Sequence, residues 1–66
     1  MNEIKILIQL THPAAVVALL DAAENYPEDL ESATGELLAA LSLDDTFNEY
    51  TTDELTAAIN ELAADI

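Results

Sequence analysis

Cysteine, arginine and tryptophan are absent from this chain, glycine occurs once, and Lys5 is its only lysine. Without cysteine there is neither a disulfide framework nor a thiolate metal site, which excludes the stapled secreted scaffolds common at this length. A single glycine excludes a glycine-rich loop that cradles phosphate. The shortage of cations matters most. Fourteen Asp and Glu against one Lys leave a formal net charge of −13. Phosphates and acidic lipids repel such a chain, so it does not bind DNA or an anionic membrane through its own charge. Long hydrophobic runs are also missing. The apolar stretch from Ile4 to Leu10 is broken by Lys5 and Gln9, is too short for a signal peptide or a membrane span, and follows no basic segment. The expectation is a soluble, cytoplasmic protein with no membrane partner.

What is present is a foldable composition. Hydrophobic residues make up 52% of the 66 positions, and Leu, Ile and Val recur with helical and strand periods, unlike an acidic disordered tail. The length allows one domain, residues 1–66. A core this small is marginal and has no staple, and thirteen uncompensated negative charges oppose its compaction. Solubility alone asks for a net charge of only about 2–8 in a small domain. The excess points to a basic partner, with a halophilic origin as the bland alternative.

No linker, repeat or low-complexity tract is visible. Ile4, Ile6, Ile8 and Leu10 alternate with Lys5, Leu7 and Gln9, which predicts a strand. Thr11-His12-Pro13 reads as a helix start, with Thr11 or His12 as N-cap and Pro13 in the first turn. Ala14 to Glu24 follows as a helix, ended by Asn25-Tyr26-Pro27. A second helix is expected from Glu28 to Leu41, with Leu30, Thr34, Leu37 and Leu41 as its apolar stripe; Gly35 weakens its middle and could delay or split it. Asp44-Asp45 reads as a turn and Thr46 to Tyr50 as a short strand pairing with the first. Thr51-x-x-Glu54 is a capping box, and the last helix carries Leu55, Ile59, Leu62 and Ile66. The expected fold is α+β in the order β-α-α-β-α, with three helices and a minimal two-stranded sheet. Its expected core is Ile4, Ile6, Ile8, Leu10, Val16, Leu19, Leu20, Leu30, Leu37, Leu41, Phe47, Leu55, Ile59 and Leu62.

Catalytic patterns are scarce. His12 beside Pro13 reads as a capping or surface residue, and no nucleophile is identified for it to activate. Any pairing among fourteen carboxylates is expected by chance. An EF-hand loop starting at Asp44 lacks its glycine and its bidentate glutamate, which leaves only weak, nonspecific divalent binding to Asp44, Asp45 and Glu49. Acyl carrier proteins are small, acidic and helical, but their modified serine follows Asp at a helix start. Here Ser42-Leu43 follows Leu41 at a predicted helix end. No catalytic residue, metal site or cofactor is expected.

The acidic residues are the remaining signal. Asp21, Glu24, Glu28 and Glu31 would line one side of the first two helices if the break at Pro27 keeps them adjacent, with Asp29 beside them. Asp44, Asp45, Glu49 and Asp53 cluster in and after the connecting loop. Glu54, Glu61 and Asp65 line one flank of the last helix. A solvated surface explains acidic residues but not the loss of mixed-sign i,i+4 pairs. B-DNA carries one negative charge per about 1.7 Å of axis. A rigid protein with carboxylates at similar density would fit a groove built for it and would gain from electrostatic steering.

In size, in its lone Lys5, in its lack of Arg and Cys, and in acidic clusters such as Tyr26-Pro27-Glu28-Asp29-Leu30-Glu31 and Leu43 to Tyr50, the chain resembles the small phage-borne anti-CRISPR proteins. The likeness is to the DNA mimics that inhibit type I surveillance complexes, type I-C most of all. It covers the whole chain as a type and carries no family residue over by position. It implies a non-enzymatic, stoichiometric inhibitor in the bacterial cytoplasm that keeps target DNA out of a basic channel. The expected partner is thus a basic DNA-binding protein or CRISPR effector complex. The protein itself is expected to be a monomer or, through an unpaired strand edge, a weak dimer. Two other classes stay open: an antitoxin-like or adaptor module that docks through an apolar face including Leu7 or Val17, and an acyl-carrier-like protein modified on Ser42.

Overall fold

A computed structural model describes residues 3–64. Four α-helices fill this span: α1 Glu3–Thr11, α2 Pro13–Asn25, α3 Leu30–Ser42 and α4 Thr52–Ala64. Short 3-10 turns lie at Pro27–Asp29 and Asp45–Phe47. No strand occurs among the described residues. The expected α+β fold with a two-stranded sheet is therefore corrected to an all-helical one.

Both expected strands fail because a strand must find a partner for its backbone, whereas a helix satisfies that backbone internally. The segment Glu3 to Leu10 carries two periods at once. Ile4, Leu7 and Ile8 sit at i, i+3 and i+4, and these are the residues that pack: Ile4 and Ile8 are buried and Leu7 lies against the core. Ile6 and Leu10, which two-residue alternation assigned to the core, are 39% and 74% exposed. The β preference of isoleucine is largely a preference for packing on a pleated surface, and no such surface exists for α1 to join. The segment from Thr46 to Tyr50 becomes a turn. The Phe47 N–H donates to the Asp44 carbonyl at 3.0 Å, and the Thr46 N–H donates to the Asp44 carboxylate at 2.9 Å, a side-chain turn typical of aspartate. With no strand edge among the described residues, the reason for expecting a weak dimer also disappears.

The helix boundaries follow local chemistry. Pro13 has no N–H and pushes His12 out of the helical region, to φ −130° and ψ 56°, so α1 and α2 meet at 109°. Tyr26 plays the same part before Pro27. The helix expected from Glu28 begins two residues later, at Leu30, after the 3-10 turn. At the start of α4 the capping box closes in both directions: the Thr51 N–H donates to Glu54 Oε1 at 2.9 Å, and the Glu54 N–H donates to Thr51 Oγ1 at 3.1 Å.

Gly35 does not split α3. It has no positive φ, and a Cβ placed on it would meet nothing within 4 Å. The fold itself therefore has no use for a glycine there. Gly35→Ala should stabilise the domain by about 1 kcal/mol through helix propensity. The melting temperature should rise by roughly 4–8 °C in a domain of this size, a shift readable by thermal circular dichroism.

The core lies where α3 packs between α2 and α4 and α1 crosses α2 and α4. Ile4, Ile8, Val16, Leu19, Leu37, Leu41, Phe47, Leu55, Ile59 and Leu62 are buried there, as are Ala22 and Ala58, which had no place among the expected core residues. Leu20 and Leu30 are only half-buried against it. Ile66, the last residue of the expected α4 stripe, lies outside the described residues. Among the described residues no polar or charged side chain is buried. All the polar chemistry is left on the outside of the bundle.

Candidate functional site

The helices distribute the acidic residues to two ends of the bundle. Asp21 and Glu24 lie on the last two turns of α2, Glu28 and Asp29 in the first 3-10 turn, and Glu31 in the first turn of α3; all five are exposed. That turn contacts both helices, so the five acidic residues lie toward the end of the bundle where α2 passes into α3. Asn25 Nδ2 donates to Asp21 Oδ1 at 2.9 Å and orients that carboxylate along α2. Asp21 and Glu24 lie at the negative end of the α2 dipole, and no helix carries a basic residue in its last turn. For Asp21 and Glu24 the placement runs against the macrodipole, whereas Glu28, Asp29 and Glu31 lie at the favourable N-terminal end of α3.

The second group lies at the other end of α3, roughly 20 Å away at 1.5 Å per helical residue. Asp44 and Asp45 shape the second 3-10 turn, Glu49 follows it, and Asp53 and Glu54 occupy the first turn of α4. Glu54 belongs to the cap as well as to this group. The fold adds Glu3, which is absent from the candidates read in the sequence. Burial raises the Tyr50 hydroxyl above its ordinary pKa, and the charges of Glu49, Glu3 and Glu54 raise it further. The N-terminus of α1 therefore brings Glu3 within electrostatic reach of Tyr50. Reading residues 3–10 as a strand hid this position.

Glu61 lies two turns beyond Glu54 on α4, as its spacing implies, next to Asn60, which shares a groove with Pro27 and Glu31. Asp65 lies outside the described residues. Glu36 is a further exposed acid without a place among the sequence candidates. It borders a crevice of about 110 Å³ between α2 and α3, lined mostly by Ala15, Ala18, Ala33 and Ala40. Among the described residues, no three His, Asp or Glu side chains are grouped so as to hold a metal ion.

His12 does not cap α2 with its side chain. Its Nε2 lies 2.8 Å from Asp44 Oδ2, across 32 positions of sequence, and its ring faces Phe47 at 6.1 Å between centroids. The contact ties the α1–α2 corner to the turn after α3. The Asp44 carboxyl is held below its ordinary pKa, first by the Thr46 N–H and then by His12. A carboxylate depressed in the folded state stabilises the fold above its unfolded pKa, about 3.9 for Asp, and that contribution is lost as pH falls through the lower folded value. Protonating the other acids relieves repulsion at the same time, so total stability is a poor readout. The difference between the parent and Asp44→Ala isolates the contact. It should favour the parent at neutral pH and shrink steadily below about pH 4, as measured by urea unfolding at a series of pH values.

Ser42 is the last residue of α3, and its hydroxyl donates to the Leu38 carbonyl at 2.9 Å. That is the opposite end of a helix from the serine of an acyl carrier protein. Leu7 is half-buried against the core, so only part of it is left for the apolar docking face expected to include it. Val17, with Leu10 and Leu43, remains well exposed. Among the described residues no single helix is long and apolar enough to cross a membrane.

No protein-family model, curated protein or solved structure matches this chain.

Proposed function

We propose that the protein is a non-enzymatic, stoichiometric inhibitor that occupies the DNA-binding channel of a basic nucleic-acid-binding complex. The observation that carries this reading is the display of charge. Every described acidic residue except Asp44 is exposed, on a body whose long axis is 32 Å. Over that length a DNA duplex would carry about 19 negative charges and one of its strands about 9. The net charge of −13 falls between the two. The helices hold those charges on a fixed scaffold, so they are presented without the entropy cost of ordering a disordered acidic tail. The resemblance to anti-CRISPR DNA mimics makes a type I CRISPR effector, type I-C first, the complex to test.

The test is affinity capture from bacterial lysates, including a strain with a type I system, with elution by a salt gradient and by competing duplex DNA. Release of a DNA-binding complex by both agents is the expected result. A partner that resists salt and ignores DNA would overturn charge mimicry. That outcome would favour the second reading, a module docking through the exposed side chains Leu10, Val17 and Leu43. Its binding would then fall on Val17→Ser or Leu43→Ser and not on changes to the acids.

A further inference from the structure

An open groove of about 580 Å³ runs between α3 and α4, lined by Pro27, Leu30, Glu31, Thr34, Gly35 and Asn60. Its floor holds the one glycine of the chain. Gly35 sits in mid-helix, where glycine weakens the helix, yet nothing inside the protein crowds it and its backbone does not require it. The remaining physical use of a glycine is close approach from outside. Leu30 and Thr34, one turn apart on the same face, are half-buried and supply apolar contact on the N-terminal side of it. Glu28, Asp29 and Glu31 are exposed around the Pro27 end.

We infer that this groove seats an amphipathic α-helix of the partner protein, with its apolar ridge over Gly35 and lysine or arginine side chains against Glu28, Asp29 and Glu31. A trough between two helices suits a third helix by ridge-into-groove packing, and the missing Cβ lets its backbone come close. Charge complementarity selects the occupant. A second copy would bring another −13 to the same rim, whereas a basic helix neutralises it. This rests on the proposed basic partner and adds to it a specific seat, distinct from the second acidic group around Tyr50.

The experiment uses the full ¹⁵N-labelled chain and two 18-residue Lys/Leu peptides of identical composition. One places its leucines on a single helical face and the other has them scrambled. The amphipathic peptide should bind at least tenfold more tightly, shift the amide signals of Leu30, Thr34, Gly35 and Asn60 most, and lose its advantage in Gly35→Leu. Gly35→Ala should weaken it several-fold while leaving the fold at least as stable as the parent. Equal binding of the two peptides, or affinity for the amphipathic one within twofold in Gly35→Leu, would overturn the groove while leaving charge mimicry standing. Failure of both peptides to bind would overturn the groove too, and salt-gradient capture would still decide mimicry separately. Gly35 signals that move with protein concentration alone would assign the groove to a second copy and overturn the inference.

Discussion

Phe47→Ala should unfold the domain at 25 °C. Phe47 is 2% exposed and is the largest of the fully buried side chains, yet it stands in a 3-10 turn, not a helix. It fills the core from the loop side, with the His12 and Tyr50 rings tilted against it at 6.1 and 6.3 Å. Truncating a buried Phe to Ala costs about 3–5 kcal/mol. A 66-residue domain has roughly 3–10 kcal/mol of total stability at the usual 0.05–0.15 per residue, and self-repulsion from −13 places this one toward the lower end. Loss of the cooperative thermal transition in circular dichroism, and of amide dispersion in NMR, is the expected result. Added NaCl should restore part of the fold, because it screens the repulsion. Tyr26→Ala is the control: Tyr26 is half-exposed and its loss should leave the transition nearly in place. A Phe47→Ala variant that still melted cooperatively within about 1 kcal/mol of the parent would show that the turn does not anchor the core.

Phe47 also shows what could be read from the sequence. Its burial is legible from hydrophobicity alone, although the strand assigned to it was wrong. The stripes of α2, α3 and α4 are legible because each repeats one period over three turns and is bounded by proline or by a capping box. Thr51 and Glu54 form that box as their spacing requires. The α1 segment is ambiguous because Ile4 and Ile8 satisfy periods of two and of four at once. Only the absence of a partner strand decides between them, and that is a property of the whole fold. The acidic residues from Asp21 to Glu31 are close in sequence, so their common end of the bundle is legible there. The contact of His12 with Asp44 and the place of Glu3 near Tyr50 depend on how α1 lies across the bundle, and no local pattern encodes that.

Charge reversal in the acidic group that meets the target should abolish binding while strengthening the fold. The structure dictates which residues make a clean probe. Asp44 holds the turn and His12, and Glu54 caps α4, so their replacement would damage the scaffold. Glu49 and Asp53 are exposed and outside those contacts, and the exposed Asp45 carboxylate meets only a long 3.4 Å hydrogen bond from the Asn48 amide within the turn; Glu28, Asp29 and Glu31 are exposed at the other corner. Each triple Lys variant moves the net charge from −13 to −7. Close charge pairs across an interface are coupled by at least about 1.5 kcal/mol, so three reversals in the contacting group should lower affinity by roughly a thousandfold. The slope of log affinity against log salt should fall by about three, one for each lost contact. The triple at the corner that does not touch the target should change affinity far less, through long-range steering alone. Both triples should melt at higher temperature than the parent at low salt, since each removes repulsion. These opposite signs separate a lost contact from a damaged fold. Binding measured by titration across a salt series decides the matter: if both triples bound like the parent at every salt concentration, the carboxylates would be surface and nothing more.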